Sequence, residues 1–108
     1  MIKNNIPNVY KVEGNIIYPD KKMITWGPFY YYSSENAKSE MEIILNDIIS
    51  WCNLFDPSLE IKAENIKRVS DGKQLTFNID AWKDEFTIQN CDGIITMEKI
   101  NFEEYEIK

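Results

Sequence analysis

The sequence predicts an α+β domain in which one long helix packs on one face of a single twisted antiparallel sheet of about five or six strands. Two observations support this prediction. One segment has helical periodicity, and the segments before and after it alternate between apolar and polar residues at strand spacing. The 108 residues are expected to form one domain, since the length is typical and no linker, repeat or low-complexity segment occurs.

The helix is predicted from about Ser34 to Phe55. Apolar side chains recur there every three or four residues and form one stripe: Ala37, Met41, Ile44, Leu45, Ile48, Cys52 and Phe55. Ser33 or Ser34 can cap the start, and the helix ends before Pro57 because the residue preceding a proline avoids helical geometry. The expected core pairs this stripe with strand residues: Leu75, Phe77, Ile79, Phe86 and Ile88.

Two strands are predicted before the helix. Residues 9–18 carry apolar side chains at alternate positions, and residues 23–32 carry them on both faces. Gly14 is a candidate bulge. Gly27-Pro28 indicates a bulge or a sheet edge, because proline cannot donate to a strand ladder.

The strands after the helix are predicted to follow one another through short turns. Residues 59–64 alternate strictly between apolar and charged, and the alternation slips near Asn65. Asp71-Gly72 predicts a hairpin turn before the strand that begins near Gln74. Asp92-Gly93 predicts a further turn, which would separate a short strand from a last one over 94–100.

The net charge is -6, which argues against binding to nucleic acid or to an anionic membrane surface. The acidic residues are unevenly distributed. Residues 1–70 contain nine acids and eight bases, whereas residues 71–108 contain nine acids and four bases. Such asymmetry favours an interaction face for a basic partner in the C-terminal strands.

Most catalytic and metal-binding chemistry lacks its usual residues in this sequence. There is no histidine, so the commonest general base and the Ser–His and Cys–His nucleophile pairs are excluded. No phosphate-binding glycine motif and no EF-hand calcium loop occurs. We expect no enzymatic activity, no cofactor and no metal, although the many carboxylates leave a paired-carboxylate enzyme or a ligand-binding domain open.

The two cysteines, Cys52 and Cys91, are expected to be reduced thiols in the cytoplasm. A disulfide would require an oxidising compartment, and the first residues contain no apolar run of signal-peptide length. No segment approaches the ~18 consecutive apolar residues that indicate a membrane helix.

The predicted partner-binding site centres on Trp82. Odd-numbered positions are apolar in the strand from Gln74, so Trp82 should point away from the core among acidic neighbours. An aromatic residue surrounded by charges is typical of an interface anchor and its rim. Tyr105 has the same setting in the tail. The candidate partner-binding residues are Asp80, Trp82, Asp84, Glu85, Glu103, Glu104 and Tyr105.

In kind, the chain resembles the small acidic immunity proteins and antitoxins that bacteria make against their neighbours' toxins. The resemblance rests on size, acidic charge, absent catalytic motifs and an Ile-, Asn- and Lys-rich composition. It implies an inhibitor that covers the active site of a basic toxin, with a nuclease as the expected class. Three alternatives stay open: a phage inhibitor that mimics nucleic acid, a carboxylate-based enzyme or ligand-binding domain, and a subunit of a larger assembly.

Overall fold

The computed structural model describes residues 8–55, 57–84 and 86–100, with the backbone alone at positions 55, 87 and 88. The elements in chain order are β1 (Val9–Ile17), β2 (Met23–Tyr31), α1 (Ser34–Phe55), β3 (Glu60–Val69), β4 (Gln74–Lys83) and β5 (Phe86–Ile100). The five strands form one antiparallel sheet and the helix packs on it, so the predicted α+β fold is confirmed.

The strand order across the sheet is β2-β1-β5-β4-β3. Three neighbouring pairs are hairpins between consecutive strands, as the short turns predict. The fourth pair joins the first and last described strands over their whole common length, from Val9 opposite Ile100 to Ile17 opposite Asp92. Because β2 and β3 are the two edges, α1 carries the chain from one edge of the sheet to the other.

The helix begins and packs as its sequence predicts. The Ser33 Oγ accepts a hydrogen bond from the backbone N–H of Asn36 at 3.0 Å, which caps the first turn. Its apolar stripe is buried: Ala37, Met41, Ile44, Leu45 and Ile48 join Val12, Ile16, Leu75, Phe77, Ile79 and Ile95 in one core. Cys52, near the end of the stripe, is half-buried.

Phe86 is the exception in the predicted core, because its side chain is 75% exposed. Its side chain does not reach the hydrophobic cluster under α1, because Phe86 lies beyond the register shift between Ala81 and Trp82, at the end of the sheet. Phe86 instead pairs with Lys83 in the last rung of the hairpin, next to the turn. The side chain of Ile88 lies outside the described residues.

Asp92-Gly93 does not form the predicted turn, since β5 runs without interruption from Phe86 to Ile100. Gly93 lies directly opposite Phe77 in the β4–β5 ladder. A Cβ at Gly93 would occupy space that the Phe77 ring already fills. The glycine therefore serves core packing here and not chain reversal.

The other irregularities in the sheet lie at Gly27-Pro28 and Asn65, as predicted, whereas Gly14 is not a bulge, because β1 keeps an unbroken register with β5. The β1–β2 register shifts between Val12 and Gly14, and the β3–β4 register shifts between Glu64 and Lys67, around Asn65. Asn65 has a φ of 54°, in the left-handed region that asparagine tolerates. Gly27-Pro28 lies in the edge strand β2, where a missing donor is tolerated.

The bulge at Asn65 also sets the direction of Arg68. Arg68 pairs with Leu75, a core residue, so it lies on the helix side of the sheet. Its guanidinium donates to the carbonyl oxygen of Lys38 at 3.1 Å and to a carboxylate oxygen of Glu42 at 3.2 Å. Through these bonds Arg68 ties edge strand β3 to the first half of α1.

Candidate functional site

The sheet has two chemically different faces. Residues of the core alternate with mainly polar residues along β1, β3, β4 and β5, so the intervening side chains point away from α1. We call this second surface the open face, because no described helix or strand lies on it. Its main members are Glu13, Asn15, Glu60, Lys62, Glu64, Thr76, Asn78, Asp80, Trp82, Asn90, Asp92 and Glu98.

Trp82 lies on the open face, as predicted from the alternation of β4. Its ring is half-buried, and Glu60 lies directly opposite on the edge strand β3. Glu60 is paired with the Lys62 Nζ at 3.0 Å, and both side chains are well exposed. Trp82 is therefore an amphipathic aromatic with a charged pair beside it, at one end of the sheet.

Asp80 lies one rung further along the same face, but it is only 6% exposed. The side-chain amide of Asn90, in β5, donates a hydrogen bond to the Asp80 carboxylate. On the other side, a hydrogen bond to Asp80 raises the pKa of Glu64, and the negative charge of Asp80 acts in the same direction. Asp80 thus holds neighbouring strands together and offers little surface to a partner.

A relay of side-chain hydrogen bonds crosses the open face next to Asp80. The Asn65 Nδ2 donates to the Asn78 Oδ1 at 3.1 Å, and the Asn78 Nδ2 donates to the Asp92 Oδ1 at 2.9 Å. It links β3, β4 and β5, and it fixes the orientation of both amides and of the Asp92 carboxylate. Sequence reasoning missed this relay, although the phase slip near Asn65 marked one end of it.

The remaining predicted site residues divide into two groups. Asp84 lies within the described residues. It is exposed in the turn after β4 and has a φ of 50°. Glu85, Glu103, Glu104 and Tyr105 lie outside the described residues, so their part in the site stays a prediction. The structure brings Trp82, Asp84 and the newly identified Glu60 to one end of the sheet, and Glu64 lies further along β3, opposite Asn78.

Negative charge is present on more than one surface. The described open face carries six acids (Glu13, Glu60, Glu64, Asp80, Asp92, Glu98) and three bases (Lys11, Lys62, Lys67). The helix carries four acids (Glu35, Glu40, Glu42, Asp47) and one base (Lys38). Charge alone therefore does not distinguish the two surfaces, whereas the combination of acids with Trp82 is particular to the open face.

Within the described ranges, no three side chains of the His, Cys, Asp and Glu types are placed to hold a metal ion. The same part of the chain contains no helix with both the length and the apolar character that crossing a membrane requires. Comparison of the chain with family models, with curated proteins and with solved structures found no match.

Proposed function

We propose that this chain is an acidic inhibitor that binds a basic protein through the open face of its sheet, around Trp82. The proposed partner is a bacterial toxin, with a nuclease as the expected class, and binding covers its active site. The observation that carries the proposal is a half-buried tryptophan on the open face, beside the exposed acids Glu60 and Asp84. A basic active site that normally binds phosphates would complement such a surface in charge.

The acids and the aromatic ring would contribute to different steps of binding. Exposed carboxylates such as Glu60, Glu64 and Asp84 raise the rate of encounter with a basic surface. Trp82 supplies contact area once water has been excluded, which slows dissociation. The hydrogen bonds around Asp80 and Asn78 hold these strands in register before the partner arrives, so little ordering is left to oppose binding.

The first experiment is capture of a partner from the source cell, followed by binding kinetics on matched variants. Glu60→Gln with Asp84→Asn removes two charges beside Trp82, and asparagine is tolerated at the positive φ of position 84. Glu35→Gln with Asp47→Asn removes the same two charges from the helix surface. The double substitution on the open face should lower the association rate clearly more than the double substitution on the helix.

Salt and the aromatic residue provide two further measurements. Association should slow as salt is added, because steering is screened over about 8 Å at physiological ionic strength. Trp82→Ala should raise the dissociation rate roughly 30-fold, which corresponds to about 2 kcal/mol for an anchor residue. If the two double substitutions lower the association rate equally and Trp82→Ala leaves the dissociation rate unchanged, the open face is not the interface. The exposed aromatic residues Phe29, Tyr30 and Tyr32 would then be tested next.

A further inference from the structure

A cavity of about 240 Å³ lies on the opposite side of the sheet from the open face. It is formed where the last turns of α1 pass over residues of four strands, β1, β3, β4 and β5. Its wall includes Trp51 and Cys52 from the helix, Ile61 from β3, Ala81 from β4, and Gln89 and Cys91 from β5. The two cysteines, far apart in sequence, thus meet at the same cavity.

The chemistry of the wall is apolar and electrically neutral. Aliphatic and aromatic side chains make up most of it, and none of the described lining residues carries a formal charge. Burial raises the pKa of both thiols, so both are protonated at neutral pH. Polar contacts are available from Gln89, whose amide donates to the Cys91 Sγ at 3.5 Å, and from the hydroxyl of Tyr18.

An aromatic wall of this cavity is held in a defined position. The rings of Trp26 and Trp51 meet edge to face, with centroids 5.3 Å apart and an interplanar angle of 84°. Trp26 comes from the edge strand β2 and packs on the core. The contact fixes the Trp51 ring against the sheet, so its contribution to the cavity wall is preformed.

From this geometry we propose that the cavity binds a small, uncharged aromatic molecule of the size of one fused bicycle. An apolar cavity of about 150 Å³ accommodates benzene, and scaling by volume gives a ligand of roughly ten non-hydrogen atoms here. Drug-sized ligands occupy pockets of about 300 Å³ or more, so the proposed ligand is smaller than that class. A charged ligand is disfavoured because the wall offers no opposite charge.

Indole is a suitable probe, and binding is measured by NMR titration of the amide signals of the full chain. Indole should give saturable shifts confined to the cavity, for example at Ala81, Gln89 and Cys91. Indole-3-acetate, which adds a carboxylate to the same bicycle, should bind at least about tenfold more weakly. Saturating indole should also slow alkylation of the two cysteines by an uncharged maleimide.

Matched substitutions on β4 test the position of the ligand. Ala81→Leu places additional carbons in the cavity and should abolish the indole shifts, whereas Thr76→Leu, on the open face of the same strand, should leave them unchanged. If Ala81→Leu does not fold, thiol protection in the unmodified chain still decides the question. Scattered or non-saturating shifts, or alkylation that indole does not slow, would overturn the proposal. The ligand site lies on the helix side of the sheet, and Thr76→Leu serves only as a control, so failure here leaves the proposed inhibitor function untouched.

Discussion

Replacing Gly93 by alanine should destabilise the fold, although glycine is ordinarily a poor residue within a β-strand. Gly93 lies opposite Phe77, and an added methyl group would overlap the Phe77 ring. The ring is only 3% exposed and belongs to the core under α1. It can therefore make room only by displacing other buried side chains.

The expected size of the effect is a balance of two terms. Overpacking of a well-packed core costs about 1–3 kcal/mol. Replacing a strand glycine by alanine reduces the backbone freedom of the unfolded chain, which stabilises the fold by about 0.5–1 kcal/mol. The difference between the two terms gives a net loss of about 0–2.5 kcal/mol for Gly93→Ala, with a midpoint near 1 kcal/mol. Each kcal/mol lowers the melting temperature of a domain near this length by roughly 4–8 °C.

Urea denaturation followed by circular dichroism measures this loss, with Gly14→Ala as the matched control. A Cβ at Gly14 would lie 3.2 Å from the Ile48 Cδ1 and 3.3 Å from the Ile44 Cγ2, which is a tight contact but not the overlap found at Gly93. The cost of Gly14→Ala should therefore be smaller.

A double-mutant cycle isolates the contact between Gly93 and Phe77. Phe77→Leu removes the obstructing ring, so Gly93→Ala should cost less in that background than in the unmodified chain. Equal costs in the two backgrounds would refute the packing argument and restore a purely conformational role for the glycine.

Three further outcomes are expected. Ile48→Ala should cost roughly 2–5 kcal/mol in urea denaturation, because Ile48 is fully buried under the sheet; Ile43→Ala, on the exposed side of the helix, should cost less than about 1 kcal/mol. The pKa of Glu64 is raised above its ordinary 4.5 by the hydrogen bond to its buried aspartate neighbour, so the folded chain holds a proton there that the unfolded chain has released. The free energy of unfolding should therefore fall as the pH rises just above 4.5, and Glu64→Gln should flatten that part of the profile. Cys52 and Cys91 should remain reduced and dispensable for folding; a mass measurement without reductant that shows two hydrogens missing would contradict this.

The sequence by itself determined the features of this protein that depend on local geometry. The helix from Ser34 to Phe55 follows from a serine cap, a 3.6-residue stripe and Pro57. Two bulges follow from Gly27-Pro28, where proline cannot donate to the ladder, and from the phase slip at Asn65, which reveals an inserted residue. The outward direction of Trp82 follows from the alternation of β4 alone.

Only the tertiary structure decided what depends on pairing between distant segments. The β1–β5 pair lies in the middle of the sheet and joins the first hairpin to the strands that follow the helix, and no short turn in the sequence predicts it. Asp80 has the sequence context of a surface acid, yet it is buried because Asn90 and Glu64 meet it from neighbouring strands. The cavity that brings Cys52 and Cys91 together exists only where α1 passes over β5. Local periodicity specifies which way a side chain points, whereas its neighbours depend on how strands and helix come together in space.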